Sequence, residues 1–355
     1  MPRISVVLAS YNHECFVQET IHSVLNQDYE DFELIVTDDA SSDATVDRIR
    51  EIRDPRIRLF CFARNRGACV AHNHCIKQAQ GEYIAMINSD DVCCPGRLSK
   101  QVEFLDNHPE IGAVFGLPLI INESGKEGKD KRHNRTRQTF TAHLQEKENR
   151  TRYEWLHFFF YNGNCLCHPS VMIRRECHED VGLYDERYAQ LPDFDFWIRL
   201  SLKYDIHILP EYLVKFRVFS DKRNASGSTP EKVIRRYWEN RQILRNFLNI
   251  RDKETLLRVF PEAREYGDDY DDALIPFVIA KLALGLPSRY PSAKDFGLDT
   301  IGSLLSNRML AEQLERTFKF TYMDFIKMTG TYDVYSYGLM HNIKKHAIKY
   351  LFGLR

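Results

Sequence analysis

The sequence predicts an α/β fold, a mostly parallel sheet flanked by helices with a further helical extension at the C-terminal end. Three observations predict it. Up to Asp91, short β-rich apolar runs alternate with segments of helical period, the rhythm of parallel strands joined by crossover helices. Polar clusters follow the first, second and fourth of these runs, at the strand ends where ligands bind in such sheets. From about Glu231 onward the pattern is helical, with turn signals at Gly285-Leu286-Pro287 and Pro291.

The elements follow in order. Ile4 to Ala9 is a first strand, ending in Ser10-Tyr11-Asn12; Phe16, Val17, Ile21, Val24 and Leu25 then fall on one helix face. Phe32 to Thr37 is a second strand ending in Asp38-Asp39, and the helix from Ser41 to Ile52 begins at a Ser suited to capping. Arg58 to Phe62 is a third strand, Cys69 to Ala79 a third helix, and Glu82 to Ile87 a fourth strand running into Asn88-Ser89-Asp90-Asp91. The polar, charge-rich stretch between Asn122 and Arg152 has no apolar period and reads as a loop. Order returns with Trp155 to Tyr161, a strand at His168 to Ile173, a helix through Phe194, Trp197, Ile198 and Leu200, and a strand at Tyr212 to Phe219. The expected domains are 1–225, with a nucleotide-binding half at 1–110 and an acceptor half at 111–225, and a helical extension at 226–355.

Composition narrows the function classes. At 355 residues the chain exceeds what one core usually needs. A net charge of -1 carries no nucleic-acid signature. The N-terminus reads as a strand rather than a signal peptide, and no apolar stretch approaches the ~20 residues that span a bilayer. The nine cysteines lack zinc-ribbon or CxxC spacing, so reduced thiols and a cytoplasmic location are expected. No Gly-rich dinucleotide or Walker loop follows the first strand, which disfavours a dinucleotide enzyme or P-loop NTPase. The same absence disfavours a nucleotidyltransferase.

The strand-end acids carry the chemistry. A nucleotide-sugar donor holds a diphosphate that gains negative charge as its glycosidic bond breaks, and a divalent cation on one or two carboxylates answers that charge. Asp90 and Asp91 suit this role, and a turn with a helix cap is the structural alternative. Asp38-Asp39 could likewise serve a turn, or accept hydrogen bonds from a ribose or base edge.

These segments together resemble the family 2 glycosyltransferases. The resemblance is carried by SVVLASYNHE at 5–14, FELIVTDDASSDAT at 32–45, NRGACVAHN at 65–73 and GEYIAMINSDD at 81–91. It continues through HPSVMIRR at 168–175, VGLYDE at 181–186 and PDFDFWIRL at 192–200. It implies the GT-A fold, a Rossmann-like sheet, and an enzyme moving a sugar from a nucleotide-diphosphate sugar, UDP-sugars favoured, onto an acceptor hydroxyl with inversion. Ser10, Tyr11 and Asp39 would surround the nucleoside, helped by Glu14, with Asn73, Asn88 and Ser89 also on the nucleotide-sugar side. Asp38 would be structural or near the ribose. The metal, Mn²⁺ or Mg²⁺, would sit on Asp90 with Asp91 beside it. Asp193 aligns with the catalytic base, with Asp195 as a rival and helix capping as the structural alternative. His168 and Trp197 would lie on the acceptor side, His168 being equally readable as a core histidine.

Three departures remove charge from the expected diphosphate region: His72 before Asn73 where relatives often have Arg, Arg217-Val218-Phe219 where relatives often place a His, and Asn88 in the metal motif. Lys222 and Arg223 are candidate replacements. The basic amphipathic stretch from Tyr335 to Arg355 suits an anionic membrane surface or a packed terminal helix. Surface polysaccharide or glycoconjugate synthesis is the expected setting, with a glycan, lipid-linked or protein acceptor and a location at the inner face of the membrane. The alternative is a catalytically weak nucleotide-sugar-binding scaffold.

Overall fold

The computed structural model describes residues 1–129, 131–141, 149–220, 229–267, 269–287 and 291–332. Lys222, Arg223 and the basic segment from Tyr335 to Arg355 lie outside them. The chain divides into two units, Met1–Ser228 and Thr229–Arg355.

The first unit begins β1 (Ile4–Ser10), α1 (Val17–Leu25), β2 (Phe32–Asp38), α2 (Thr45–Glu51), β3 (Ile57–Cys61), α3 (Ala68–Gln78) and β4 (Tyr83–Asn88). It continues β5 (Val92–Cys93), α4 (Arg97–Asn107), β6 (Ile111–Ile121), α5 (Lys131–Thr141) and α6 (Arg152–Asn162). It ends β7 (Met172–Arg174), α7 (Arg175–Val181), α8 (Pro192–Ser201) and β8 (Asp205–Arg217). The strands form one mixed, mostly parallel sheet in the order β3-β2-β1-β4-β7-β6-β8-β5. β1 lies between β2 and β4, parallel to both, and its register sets Ser10 opposite Asp38 and Ala9 opposite Asn88. Three carboxyl-terminal strand ends therefore share one edge, where a doubly wound sheet opens its crevice.

The apolar runs read from the sequence are buried for the reason they are apolar: helices cover both faces of a parallel sheet. Val6, Leu8, Leu34, Val36, Ala85 and Ile87 pack with Val17, Ile21 and Val24 of α1 in one core. β4 is tied to the following segment by Arg97, which is fully buried and donates to the carbonyls of Met86 at 2.8 Å and Val171 at 3.1 Å.

Several elements differ from the sequence reading. β5, α4 and α7 are absent from it, β8 starts at Asp205 rather than Tyr212, and α2 starts at Thr45 without a Ser cap. Three more differ for visible reasons. β6 escapes it because Gly112, Gly116 and Pro118 resemble turn punctuation; the strand accommodates them with register shifts against β8, and Gly116 leaves room for Leu213. α5 lies inside the polar stretch read as a loop, with Phe140 resting edge-on against Phe216 at 5.2 Å. The strand expected from His168 is shorter, since His168–Ser170, with Pro169 at its start, forms a 3-10 turn before β7.

The second unit is helical in its described residues: α9 (Pro230–Ile243), α10 (Lys253–Val259), α11 (Ile275–Gly285), α12 (Pro291–Leu305), α13 (Arg308–Phe318) and α14 (Tyr322–Thr331). Its core includes Phe247, Phe260, Phe277, Phe296 and Ile301, all nearly inaccessible to solvent. Among the described residues no helix is long and apolar enough to cross a membrane.

Candidate active site

The loops after β1 and β2 are stitched to each other. Asn12 adopts a left-handed φ of 51°, which its short polar side chain tolerates. Its Oδ1 accepts from the Ser42 N–H at 2.8 Å, and its own N–H donates to Ser41 Oγ at 2.9 Å. Glu14 accepts from the Ala44 N–H at 2.9 Å while its N–H donates to Asp43 at 3.1 Å. Asp38, buried, accepts from Ser10 Oγ at 2.9 Å and from the Ser41 N–H at 2.8 Å. Asp39 accepts the backbone N–H groups of Arg66 at 2.7 Å and Gly67 at 2.8 Å, fixing the loop that opens α3. Ala40, next in sequence, holds a φ of 61°, a conformation non-glycine residues adopt at a cost and usually near functional sites. Tyr11 stands 45% exposed, at the rim.

The acid turn between β4 and β5 is braced from β8. Asp91 is 1% exposed and accepts the Arg217 N–H at 2.8 Å and Asn88 Nδ2 at 2.8 Å. Burial, with the charge of Asp90 adding to it, pushes its pKa well above the usual carboxylate range. The guanidinium of Arg217 donates to the carbonyls of Asp90 at 2.7 Å and Glu123 at 2.9 Å, and to the Glu19 carboxylate at 2.6 Å. Within the stretch Arg217-Val218-Phe219, where a His is expected, the arginine thus braces backbone. Ser89 is buried, and its Oγ meets His13 Nδ1 at 2.7 Å, joining the turn to the first loop. Asp90 is half-buried.

The donor chemistry here fits a cation in one way. Asn88 directs its NH₂ to Asp91, which leaves its amide oxygen as an acceptor, and Asp90 contributes a carboxylate. No set of three His, Cys, Asp or Glu side chains gathers as a metal cage among the described residues. One carboxylate suffices for a hard divalent ion whose remaining ligands are phosphate oxygens and water.

On the other side, α8 starts with Pro192 at its first position and carries Asp193 and Asp195 in its first turn, both favourable at a helix N-terminus. Asp195 is 3% exposed and ion-paired to Arg199 at 2.8 Å, which also donates to the Val181 and Leu183 carbonyls. Asp193 is half-buried and accepts from Asn164 Nδ2 at 2.8 Å. The Cys167 thiol, held protonated chiefly by burial, feels the carboxylates of both Asp91 and Asp193, so β4's turn and α8's start approach the same side chain.

The remaining candidates are placed as follows. Asn73 is buried and spends its amide on Tyr184 N–H at 3.1 Å, Tyr184 O at 2.9 Å and Glu186 at 3.1 Å, tying α3 to the segment before α8. His168 is half-exposed, meets Tyr184 Oη at 3.1 Å, and is pushed down to about 3, by burial first and His72 next, so it is neutral. Trp197 is fully buried, edge-on to Phe115 at 4.9 Å, within the core rather than on a ligand-facing surface. The sequence does not single out Asn164, and it marks Asn12 and Arg217 only within longer stretches, without the bracing roles the structure gives them.

This sheet, with acids at the ends of its first-half strands and a further acid opening a later helix, defines a GT-A glycosyltransferase. The chain belongs to glycosyl transferase family 2, whose model matches residues 5–182. It is 28% identical over 251 residues to an uncharacterized glycosyltransferase of Methanocaldococcus jannaschii, covering 68% of this chain and 81% of that one. It is 30% identical over 226 residues to the putative glycosyltransferase EpsE of Bacillus subtilis, covering 62% and 74%. Among solved structures, S. aureus TarS 1–349 in complex with UDP-GlcNAc superposes with a TM-score of 0.57 at 20% identity, over 84% of this chain and 89% of that one. The mannosyltransferase PcManGT from Pyrobaculum calidifontis, in complex with GDP-Man and Mn²⁺, superposes with a TM-score of 0.52 at 18% identity, over 92% and 86%. At these identities the structural likeness speaks for the fold.

Proposed function

We propose that the chain is an inverting, metal-dependent transferase that moves a sugar from a nucleotide-diphosphate sugar, UDP-linked in preference, to an acceptor hydroxyl in surface polysaccharide or glycoconjugate synthesis. The observation that carries this reading is the division of labour between the two acids of α8. Asp195 is buried against Arg199, whereas Asp193 is half-exposed and oriented by Asn164. A base needs an accessible, oriented carboxylate.

In the proposed reaction the acceptor hydroxyl approaches the anomeric carbon opposite the diphosphate. Its oxygen forms the new C–O bond as its proton passes to an Asp193 carboxylate oxygen, and the anomeric bond to the diphosphate breaks with its electron pair leaving on the phosphate oxygen. One displacement inverts the centre. Asp90 and the Asn88 amide oxygen would hold Mn²⁺ or Mg²⁺, which supplies charge to the leaving diphosphate. Asp39 and Glu14 keep the nucleoside loops in shape, Tyr11 offers a ring at the rim, and Arg217 holds the acid turn. TarS and PcManGT, bound to nucleotide sugars in the same fold, support the donor class. The proposed setting is the cytoplasmic side of a membrane, where a lipid-linked acceptor would be met.

The test is to incubate UDP-glucose, UDP-N-acetylglucosamine and GDP-mannose with the protein, with and without Mn²⁺, and measure nucleoside diphosphate release. Asp193→Asn should lower turnover by roughly 10²–10⁴-fold while donor affinity stays close to wild type. Full turnover in that variant removes Asp193 as the base. Donor binding without turnover in the wild type favours the scaffold alternative.

A further inference from the structure

Asn164 follows Gly163, whose φ of +82° ends α6 with open space around its Cα, and precedes the buried run Cys165–Cys167. Its side chain makes two bonds of opposite sense. Oδ1 accepts the Leu166 N–H at 2.9 Å, and Nδ2 donates to Asp193 Oδ2 at 2.8 Å. The first bond fixes the sense of the second. A backbone N–H can only donate, so the amide oxygen must face Leu166 and the NH₂ group must face Asp193.

We propose that Asn164 is a positioning residue for Asp193, holding its carboxylate in one orientation and in its charged form by a donated N–H bond. The inference rests on the reading of Asp193 as the base and adds how this chain keeps that base ready. A hydrogen bond donated to a carboxylate favours its ionised state, and the fixed sense of the Asn164 amide gives that bond one direction. Among the described residues, the Tyr184 hydroxyl and the Cys167 thiol face Asp193 from neighbouring elements, both held protonated mainly by burial. On its own helix the nearest charges are the paired Asp195 and Arg199.

Two variants isolate that role. Asn164→Asp keeps an oxygen for the Leu166 N–H, so the turn is preserved, but replaces the donor with a second carboxylate facing Asp193. Asn164→Ala removes both bonds. The carbon-13 signal of the Asp193 carboxyl, assigned by its loss in Asp193→Asn, is titrated in each full-length protein. Its midpoint should rise by about one unit in Asn164→Ala and by about two units in Asn164→Asp, where two close carboxyls share a proton. The acidic limb of the pH dependence of kcat/KM should move the same way, for whichever of the three nucleotide sugars the wild type consumes. In Asn164→Ala kcat should fall about tenfold with KM for the donor little changed. An unmoved Asp193 midpoint in both variants, beside an inactive Asp193→Asn, overturns this inference and leaves the base reading standing. Full turnover in Asp193→Asn removes the base reading instead, whatever the titration shows.

Discussion

Arg217 stands where several separate pieces of chain need a hydrogen-bond donor. Its guanidinium reaches the carbonyls of Asp90, Asn122 and Glu123 and the Glu19 carboxylate, and its backbone N–H reaches Asp91. Its side chain is 2% exposed while that of Glu19 is 52% exposed, so the carbonyls, more than the ion pair, hold it inside. A planar fork of five donors can serve several acceptors at once; an ammonium on a flexible stem cannot. We therefore expect Arg217→Lys, which keeps the charge, to destabilise the protein by about 2–4 kcal/mol, since each buried carbonyl left bare costs about 1–3 kcal/mol. Guanidinium unfolding monitored by fluorescence measures it, and a midpoint equal to wild type removes Arg217 as the brace. The residue also shows where sequence reading stops. Arg217 is 126 positions from Asp91, and an arginine at a strand end looks the same in sequence whether it meets a diphosphate or a row of carbonyls. Asn73, Ser89 and Asp91 share that ambiguity. Ser89 and Asp91 sit at strand ends and Asn73 midway along α3, and only their distant partners separate bracing from binding.

At the scale of elements, α3, the 3-10 turn and α7 each contribute one histidine to a neutral aromatic cluster around Tyr184. His72 lies 5.4 Å from His168, ring to ring, and His178 stacks on Phe196 at 4.8 Å. Burial first of all pushes His72 to about 4, His168 to about 3 and His178 to about 4, against about 6.5 in an unfolded chain. The sign follows directly. Between about pH 6.5 and 4 the unfolded chain binds protons the folded one refuses, so stability is complete above 6.5 and drains away as pH falls through that window. Asp91, with its raised pKa, works in the opposite direction. A variant comparison therefore separates them better than a wild-type curve. His178→Phe keeps the stacking and removes one titration. Its loss of stability between pH 7 and pH 5 should be smaller than wild type's by up to about 2 kcal/mol, measured by denaturant unfolding at the two pH values. Equal losses would mean His178 accepts its proton while folded. Elements differ in legibility for reasons of the same kind. β1, β2 and β4 are readable because burial on both faces demands unbroken apolar runs. α5, with KRHNRTRQTFT, has no apolar stripe to announce it, and the placement of Phe140 against Phe216 emerges only in three dimensions.

At the scale of the molecule, every candidate site residue and, among the described residues, every strand falls within Met1–Ser228, while Thr229–Arg355 contributes helices with their own aromatic packing, such as Phe277 on Phe318 at 4.9 Å. The helices of the second unit also carry their own start signals. Thr229 caps α9 ahead of Pro230, Asn307 caps α13, and Thr321 with Asp324 forms a capping box on α14. Local instructions of this sort belong to the segment itself. A first unit of this size is large enough to bury its own core, and the arginines that brace β4 and the acid turn, Arg97 and Arg217, are both internal to it. We accordingly expect a chain ending at Ser228 to unfold in a single cooperative transition. It should bind UDP or GDP in the presence of Mn²⁺ within about tenfold of the full-length affinity, as read by circular dichroism and titration calorimetry. Glycosyl transfer to an acceptor is the property that the helical unit is free to influence, so binding retained with transfer lost would assign that unit to the acceptor. Aggregation of the shortened chain, or loss of nucleotide binding, would instead show that the sheet depends on the helices for its fold.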